Sequence, residues 1–281
     1  MATPFEAFFL PAGAGRSGQR FCLFHPPREA GQQALGALLH VHAFAEEMNK
    51  SRRMAALQSR ALASAGYAVL QIDLLGCGDS SGDFGDATWS GWLLDVQQAA
   101  AWLRNRCDAP LWLWGHRAGA LLAAQAAPAI EARCNFLMWQ PATAGSVVLQ
   151  QFLRLKVAGE MRNGGAKGAM ESLKKRIADG ESIEVAGYRV SSDLATGLGG
   201  SVLTAPARAG ATRWLDMSQT PGATLSPAAS AAIDRWRAAG VEVHGQVIQG
   251  PAFWQTSEIE EAPDLIDATV SALNLREVVA A

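Results

Sequence analysis

Residues 115–119 read Gly-His-Arg-Ala-Gly. The run before them, Leu-Trp-Leu-Trp-Gly at 111–115, is apolar and aromatic, as in a buried strand. The run after them, 118–127, is rich in strong helix formers. A strand, a central residue flanked by two glycines and a helix together predict a turn so sharp that small neighbours are required. Its middle side chain projects over the sheet at a helix N-terminus. A serine there attacks carbonyl carbon. The residue present is Arg117, a permanent cation with no acceptor, so that attack is closed to it.

Elements that would position this turn follow along the chain. Residues 5–10 and 20–25 predict short strands, and 34–41 a strand that ends in a loop at His42-Ala-Phe-Ala. Residues 50–65 predict a helix with Met54, Leu57, Ala61 and Leu62 on one face. Strand signals recur at 67–75, 134–139, 212–217 and 241–247, and helix signals at 89–105, 227–239 and 263–273. Alternating strands and helices imply a parallel sheet, with ligands at the carboxyl ends of its strands. Loops 42–51, 76–90, 115–119, 139–143 and 216–226 then ring one site. Residues 143–207 break the alternation and are expected to form a mostly helical lid. The core is thus expected at 1–142 and 208–281.

Bulk properties narrow the class. With 281 residues, 49% of them hydrophobic, and a net charge of −2, the chain can bury a large core and does not resemble a nucleic-acid binder. Cys22, Cys77, Cys107 and Cys134 form no C-x-x-C pair, which fits free thiols in a reducing compartment. No signal peptide or membrane-span pattern is recognisable, so a cytoplasmic location is expected. No cluster has metal-ligand spacing, and neither a metal nor another cofactor is expected.

The arrangement resembles the α/β-hydrolase superfamily through three features: His42-Ala-Phe44, the Asp73…Gly76-Cys-Gly78-Asp-Ser80 turn and the elbow at Arg117. Longer strings look like the exosortase-associated hydrolases of the second type: AEEMNKSRRM at 45–54, DLLGCGDSSGDF at 73–84, WGHRAGALLA at 114–123, QQFLRLKVAGEM at 150–161 and VAGYRVS at 185–191. The resemblance implies an α/β fold with a mostly parallel eight-stranded sheet, helices on both faces and a helical lid after the sixth strand. It also implies service in exosortase-linked exopolysaccharide biosynthesis. Fold alone does not settle chemistry.

A hydrolase of this type needs Ser, then an acid, then His in chain order. Those positions hold Arg117, Ala223 and Ala252. Asp216 and His244 lie near the last two but are expected inside strands. His116 is the ordinary neighbour of an elbow residue, and His42 is the one histidine placed for acid–base work. The resemblance implies an anion hole from the amides of Phe44 and Ala118. It also brings the loop carrying Glu46 and Glu47 beside the elbow. A partly buried guanidinium needs an anion. We expect one of these glutamates to pair with Arg117, with Asn49 and Lys50 completing a polar cluster. Two readings stay open. The pair replaced a lost active site, or Arg117 binds a carboxylate or phosphate while Glu47 or Glu46 activates water.

Trp139, Trp254 and Tyr188 are expected at the pocket wall. Seven Lys or Arg against two Glu between 154 and 176 give the lid a net +5, suited to an anionic ligand or to peripheral contact with an anionic membrane. The expected function is hydrolysis or transfer of a small ester or thioester at a centre built on Arg117, Glu47 and Glu46. The alternative is a non-catalytic binder of an anionic acyl or sugar ligand. Oligomeric state is open.

Overall fold

The computed structural model describes residues 5–13, 15–28, 33–162 and 168–274. Eight strands form one sheet: β1 Glu6–Pro11, β2 Gln19–His25, β3 Ala37–Val41, β4 Ala68–Ile72, β5 Leu111–His116, β6 Cys134–Trp139, β9 Ala209–Ser218 and β10 Val243–Gln249. Their order is β1-β2-β4-β3-β5-β6-β9-β10. β1 and β2 run antiparallel to their neighbours, whereas every pairing from β4 to β10 is parallel.

Helices α1 Glu46–Ser64, α2 Trp89–Arg106, α3 Ala118–Ala126, α7 Pro227–Ala238 and α8 Pro263–Asn274 connect or flank these strands. Side chains on β5 alternate between two apolar clusters. Leu111 and Leu113 join one that includes Leu121 of α3 and Val96 of α2; Trp112 and Trp114 join the other, with Met54 of α1 and Leu265 of α8. That period of two is how a continuous apolar run is buried on both faces of a parallel sheet.

Between β6 and β9 the chain inserts α4 Gly145–Arg162, α5 Ala169–Ala178, the antiparallel hairpin β7 Ile183–Val185 with β8 Tyr188–Val190, and α6 Ser192–Gly200. The hairpin departs from the mostly helical expectation. Its turn, Ala186-Gly187, has positive φ at both residues (50° and 85°), the requirement of a primed two-residue turn. Alanine at the first position hid that signal.

The basic character expected of this segment is locally neutralised. Lys174 pairs with Glu171 at 3.3 Å, Lys175 with Asp179 at 2.6 Å and Arg176 with Glu181 at 2.7 Å. The expectations placed on Arg162 and Lys167 lie outside the described side chains and residues. Among the described residues, no helix is long and apolar enough to cross a membrane.

A second correction concerns α1. It begins at Glu46, not near Lys50, so both glutamates sit on a helix and not in a loop. Ala45 turns the chain at φ 50°, ψ −126°, and two acids then occupy the first turn, where the helix dipole favours negative charge.

Candidate functional site

The site is built at the carboxyl ends of β3, β5, β6 and β9. Arg117 joins β5 to α3 with φ 54° and ψ −118°. Two glycines permit this turn. A Cβ on Gly115 would meet the Ala120 Cα at 2.4 Å, and one on Gly119 would meet the carbonyl oxygens of Val41 and His42 at 2.2 and 2.5 Å. Arg117 N–H donates to Trp139 O at 3.0 Å, and Arg117 O accepts from Ala142 N at 3.1 Å, so the loop after β6 holds the turn in place. Ala45 and Gln140, in the loops after β3 and β6, also have positive φ. Non-glycine residues in that region cost energy and cluster at functional sites.

The Arg117 guanidinium reaches Glu47. Nη2 lies 3.2 Å and Nε 3.3 Å from Oε1. The two side chains are 12% and 21% exposed, which leaves the pair largely sheltered but open at one edge. The Trp254 ring centroid lies 5.6 Å from Arg117 Cζ, within range of a cation–π contact. Glu46 faces elsewhere. Its Oε2 accepts from Tyr188 OH at 3.0 Å and from Asn49 Nδ2 at 3.2 Å; Asn49 Nδ2 also donates to Tyr188 OH at 2.8 Å. This triangle fastens the inserted hairpin to α1. Burial, followed by the Glu46 contact, pushes the Tyr188 phenol upward, so it stays a donor.

Two cavities meet here. One of about 370 Å³ is lined by Phe44, Glu47, Lys50, Phe152 and Trp254, with Glu46 and Leu155 also on its wall. The other, of about 240 Å³, is lined by Arg117, Gln140, Thr143, Gln151, Asp216 and Ser226. Val148 and Gln151 of α4 border both.

Several expected site residues are placed differently. His42 is buried with both ring nitrogens occupied: Nδ1 donates to Ala43 O at 2.8 Å and Nε2 accepts from Leu74 N at 3.3 Å. Burial lowers its pKa, so it is a neutral structural histidine bordering neither cavity. Trp139 is 1% exposed and donates its indole N–H to Thr269 Oγ1 at 3.0 Å, which makes it core and not wall. Phe44 and Ala118 do come together, at a void of about 10 Å³. That volume is at the lower limit for one water. His116 is caged by Trp139, Phe253 and Trp254, and among the described residues its Nε2 has no hydrogen-bond partner. Burial first, then His40, Arg117 and His42, hold its pKa far below 6.5.

A family model described as serine aminopeptidase, S33, matches residues 32–164. Est1E from Butyrivibrio proteoclasticus with bound ferulic acid superposes with a TM-score of 0.64 at 14% identity, covering 94% of this chain and 97% of that one. A thermostable carboxyl esterase from Bacillus coagulans, in complex with glycerol, gives 0.62 at 14% identity, with 96% and 98% covered. XC6422 of Xanthomonas campestris, an a/b serine hydrolase without lid, gives 0.54 at 15%, with 97% and 95% covered. No curated protein matches the sequence. The chain has the α/β-hydrolase fold.

The residue at the turn between β5 and α3 is Arg117. Ala223 sits in a loop turn with its N–H on Thr220 O, and Ala252 lies in the segment after β10. His244 lies in β10, exposed and bonded to Glu242 at 2.8 Å. Among the described residues no group of three or more His, Cys, Asp or Glu is placed to hold a metal ion.

The sequence predicts Asp216 inside a strand, and it lies in β9. Its place near the end of β9 nevertheless puts it on the cavity wall opposite the insertion. Burial lifts its pKa to about 6 against the smaller lowering effects of the Trp214 bond and Arg117. A lone acid in the apolar stretch Trp214-Leu-Asp-Met217 was the available signal. Gln140 and Gln151 carried none.

Proposed function

We propose that the chain is an α/β-hydrolase-fold protein that binds a small anionic acyl- or sugar-linked ligand over Arg117 without serine-type turnover. We place it in the cytoplasm, in exosortase-linked exopolysaccharide biosynthesis, on the strength of the sequence strings given above. One observation carries the binding reading: a guanidinium occupies the elbow and opens onto a cavity, where its planar fork suits carboxylate or phosphate oxygens. Among the described residues, the two histidines nearest the elbow, His116 and His42, are both buried and held neutral, which leaves neither to activate a nucleophile there.

The test has two arms. Acetate and inorganic phosphate are expected to raise the melting temperature of the wild-type protein but not of Arg117→Ala. Arg117→Ser is expected to remain unlabelled by a fluorophosphonate probe. Labelling would overturn the reading, and so would equal stabilisation of both proteins by the anions.

A second reading, hydrolysis or transfer of an ester or thioester acyl group, is favoured by one feature. The Glu47 carboxylate lines the larger cavity, where it is positioned to take a proton from water. Turnover of an acyl ester and thioester panel that is lost in Glu47→Gln would select this reading over simple binding.

A further inference from the structure

The smaller cavity holds a cation and a buried acid that do not meet. Arg117 commits Nε and Nη2 to Glu47, and among the described residues its Nη1 makes no hydrogen bond. Asp216 is 7% exposed; its Oδ1 accepts from Trp214 Nε1 at 2.8 Å, and its Oδ2 takes no hydrogen bond among the described residues. Both side chains line the same 240 Å³ space. Gln140 turns its Oε1 to the Met217 N–H at 2.5 Å, which leaves its Nε2 amide for the cavity.

A buried carboxyl that faces an anion site has a definite consequence. When ionised it repels an incoming carboxylate. When protonated it donates a hydrogen bond to that carboxylate, and the pair shares one proton, as two close carboxyl groups do. We propose that this cavity is a proton-gated carboxylate site, in which the ligand carboxylate accepts a hydrogen bond from protonated Asp216 while Arg117 Nη1 and Gln140 Nε2 hold its remaining oxygen sites. This rests on the anion-binding reading of Arg117 and deepens it by naming carboxylic acids as the ligand class and Asp216 as the gate.

The neighbouring charges leave the gate to Asp216. On β9, Arg213 pairs with Glu242 at 3.1 Å, and His244 of β10 stands level with Arg213, also bonded to Glu242. On α7, Asp234 and Arg237 pair with each other; Arg235 lies on the same late turn. Asp264 and Asp267 of α8 are exposed, as is Arg154 of α4, which also carries Lys156. From α1, Glu47 reaches Arg117. Of these charges, Arg117 is the one that bears on the Asp216 carboxyl, whose pKa it lowers.

The sign follows from that acid's place in the titration range. With a pKa of about 6, Asp216 is protonated below pH 6 and increasingly ionised above it. Ligand affinity is then highest at or below pH 6 and falls as pH rises, by about tenfold per pH unit once Asp216 is mostly ionised.

Benzoate binding, measured by calorimetry from pH 5 to pH 8, tests this on wild type and on Asp216→Asn. The asparagine keeps an acceptor for Trp214 and supplies a permanent donor. We expect wild-type affinity to drop by roughly a hundredfold between about pH 6 and pH 8 and the variant to hold its affinity across that range. Wild-type binding that is flat with pH overturns the gate and leaves the anion site standing. An Asn variant that follows the wild-type slope does the same. Absence of benzoate binding at every pH in both proteins overturns the gate and the anion-binding reading together.

Discussion

Two turns at the top of the sheet have nearly the same backbone and opposite contents. Ala45, leading into α1, has φ 50° and ψ −126°; Arg117, leading into α3, has φ 54° and ψ −118°. Each starts a helix from an unfavourable left-hand region without glycine's freedom. Ala45 is buried and brings only a methyl group. Arg117 brings a guanidinium whose charge is met by Glu47, two residues beyond Ala45. One turn therefore places the acid that the other requires. The backbone of an elbow and the reagent it carries are separable, because the turn is held by backbone hydrogen bonds to Trp139 and Ala142 and by the close approach at Gly115 and Gly119.

The comparison breaks most completely at Gly119. Its missing Cβ is where the loop before Ala45 passes, with two carbonyl oxygens inside 2.6 Å. Gly119→Ala is expected to destabilise the fold by about 3 kcal/mol or more, because backbone must move to admit the methyl. Urea unfolding reads this directly. A loss under 1 kcal/mol would mean that the two turns are not locked together.

A smaller effect sharpens the pairing. Arg117→Ala and Glu47→Ala are each expected to cost about 1–2 kcal/mol, less than a fully buried pair because both side chains retain some exposure. In a double-mutant cycle the pair should show a coupling of about 1 kcal/mol. A coupling near zero would remove Glu47 as the partner.

The smallest effect separates backbone from content. Ala45→Gly is expected to stabilise by up to about 1 kcal/mol, relief of φ strain exceeding glycine's entropic cost. Arg117→Gly relieves the same strain but loses the ion pair, so no gain in melting temperature is expected there. Equal gains at both positions would contradict the difference drawn above.

Much of the fold was legible because it rests on period and punctuation. The continuous apolar and aromatic run at 111–115, the glycines at 115 and 119 and the alanine-rich run after them point to strand, turn and helix without tertiary help. The Arg117 elbow was visible for the same reason. The helix start at Glu46 was not, because a positive-φ alanine leaves no mark in the sequence. Trp139 and His42 were misplaced for a related reason. Residue type says that an indole or imidazole wants a polar partner, but Thr269 and the Leu74 amide supply those partners from distant segments. Asp216 was the converse case. Strand membership suggested burial, and burial near the end of a strand is what turned it toward the cavity.

Among the described residues, the cavity at Arg117 and its larger neighbour share Val148 and Gln151 on their walls, both from the inserted helix α4. An occupant reaching from the guanidinium side to the phenylalanine side has to bend past that single amide. On the binding reading proposed above, selection by length and branching falls to the insertion, and Arg117 beneath it selects by charge.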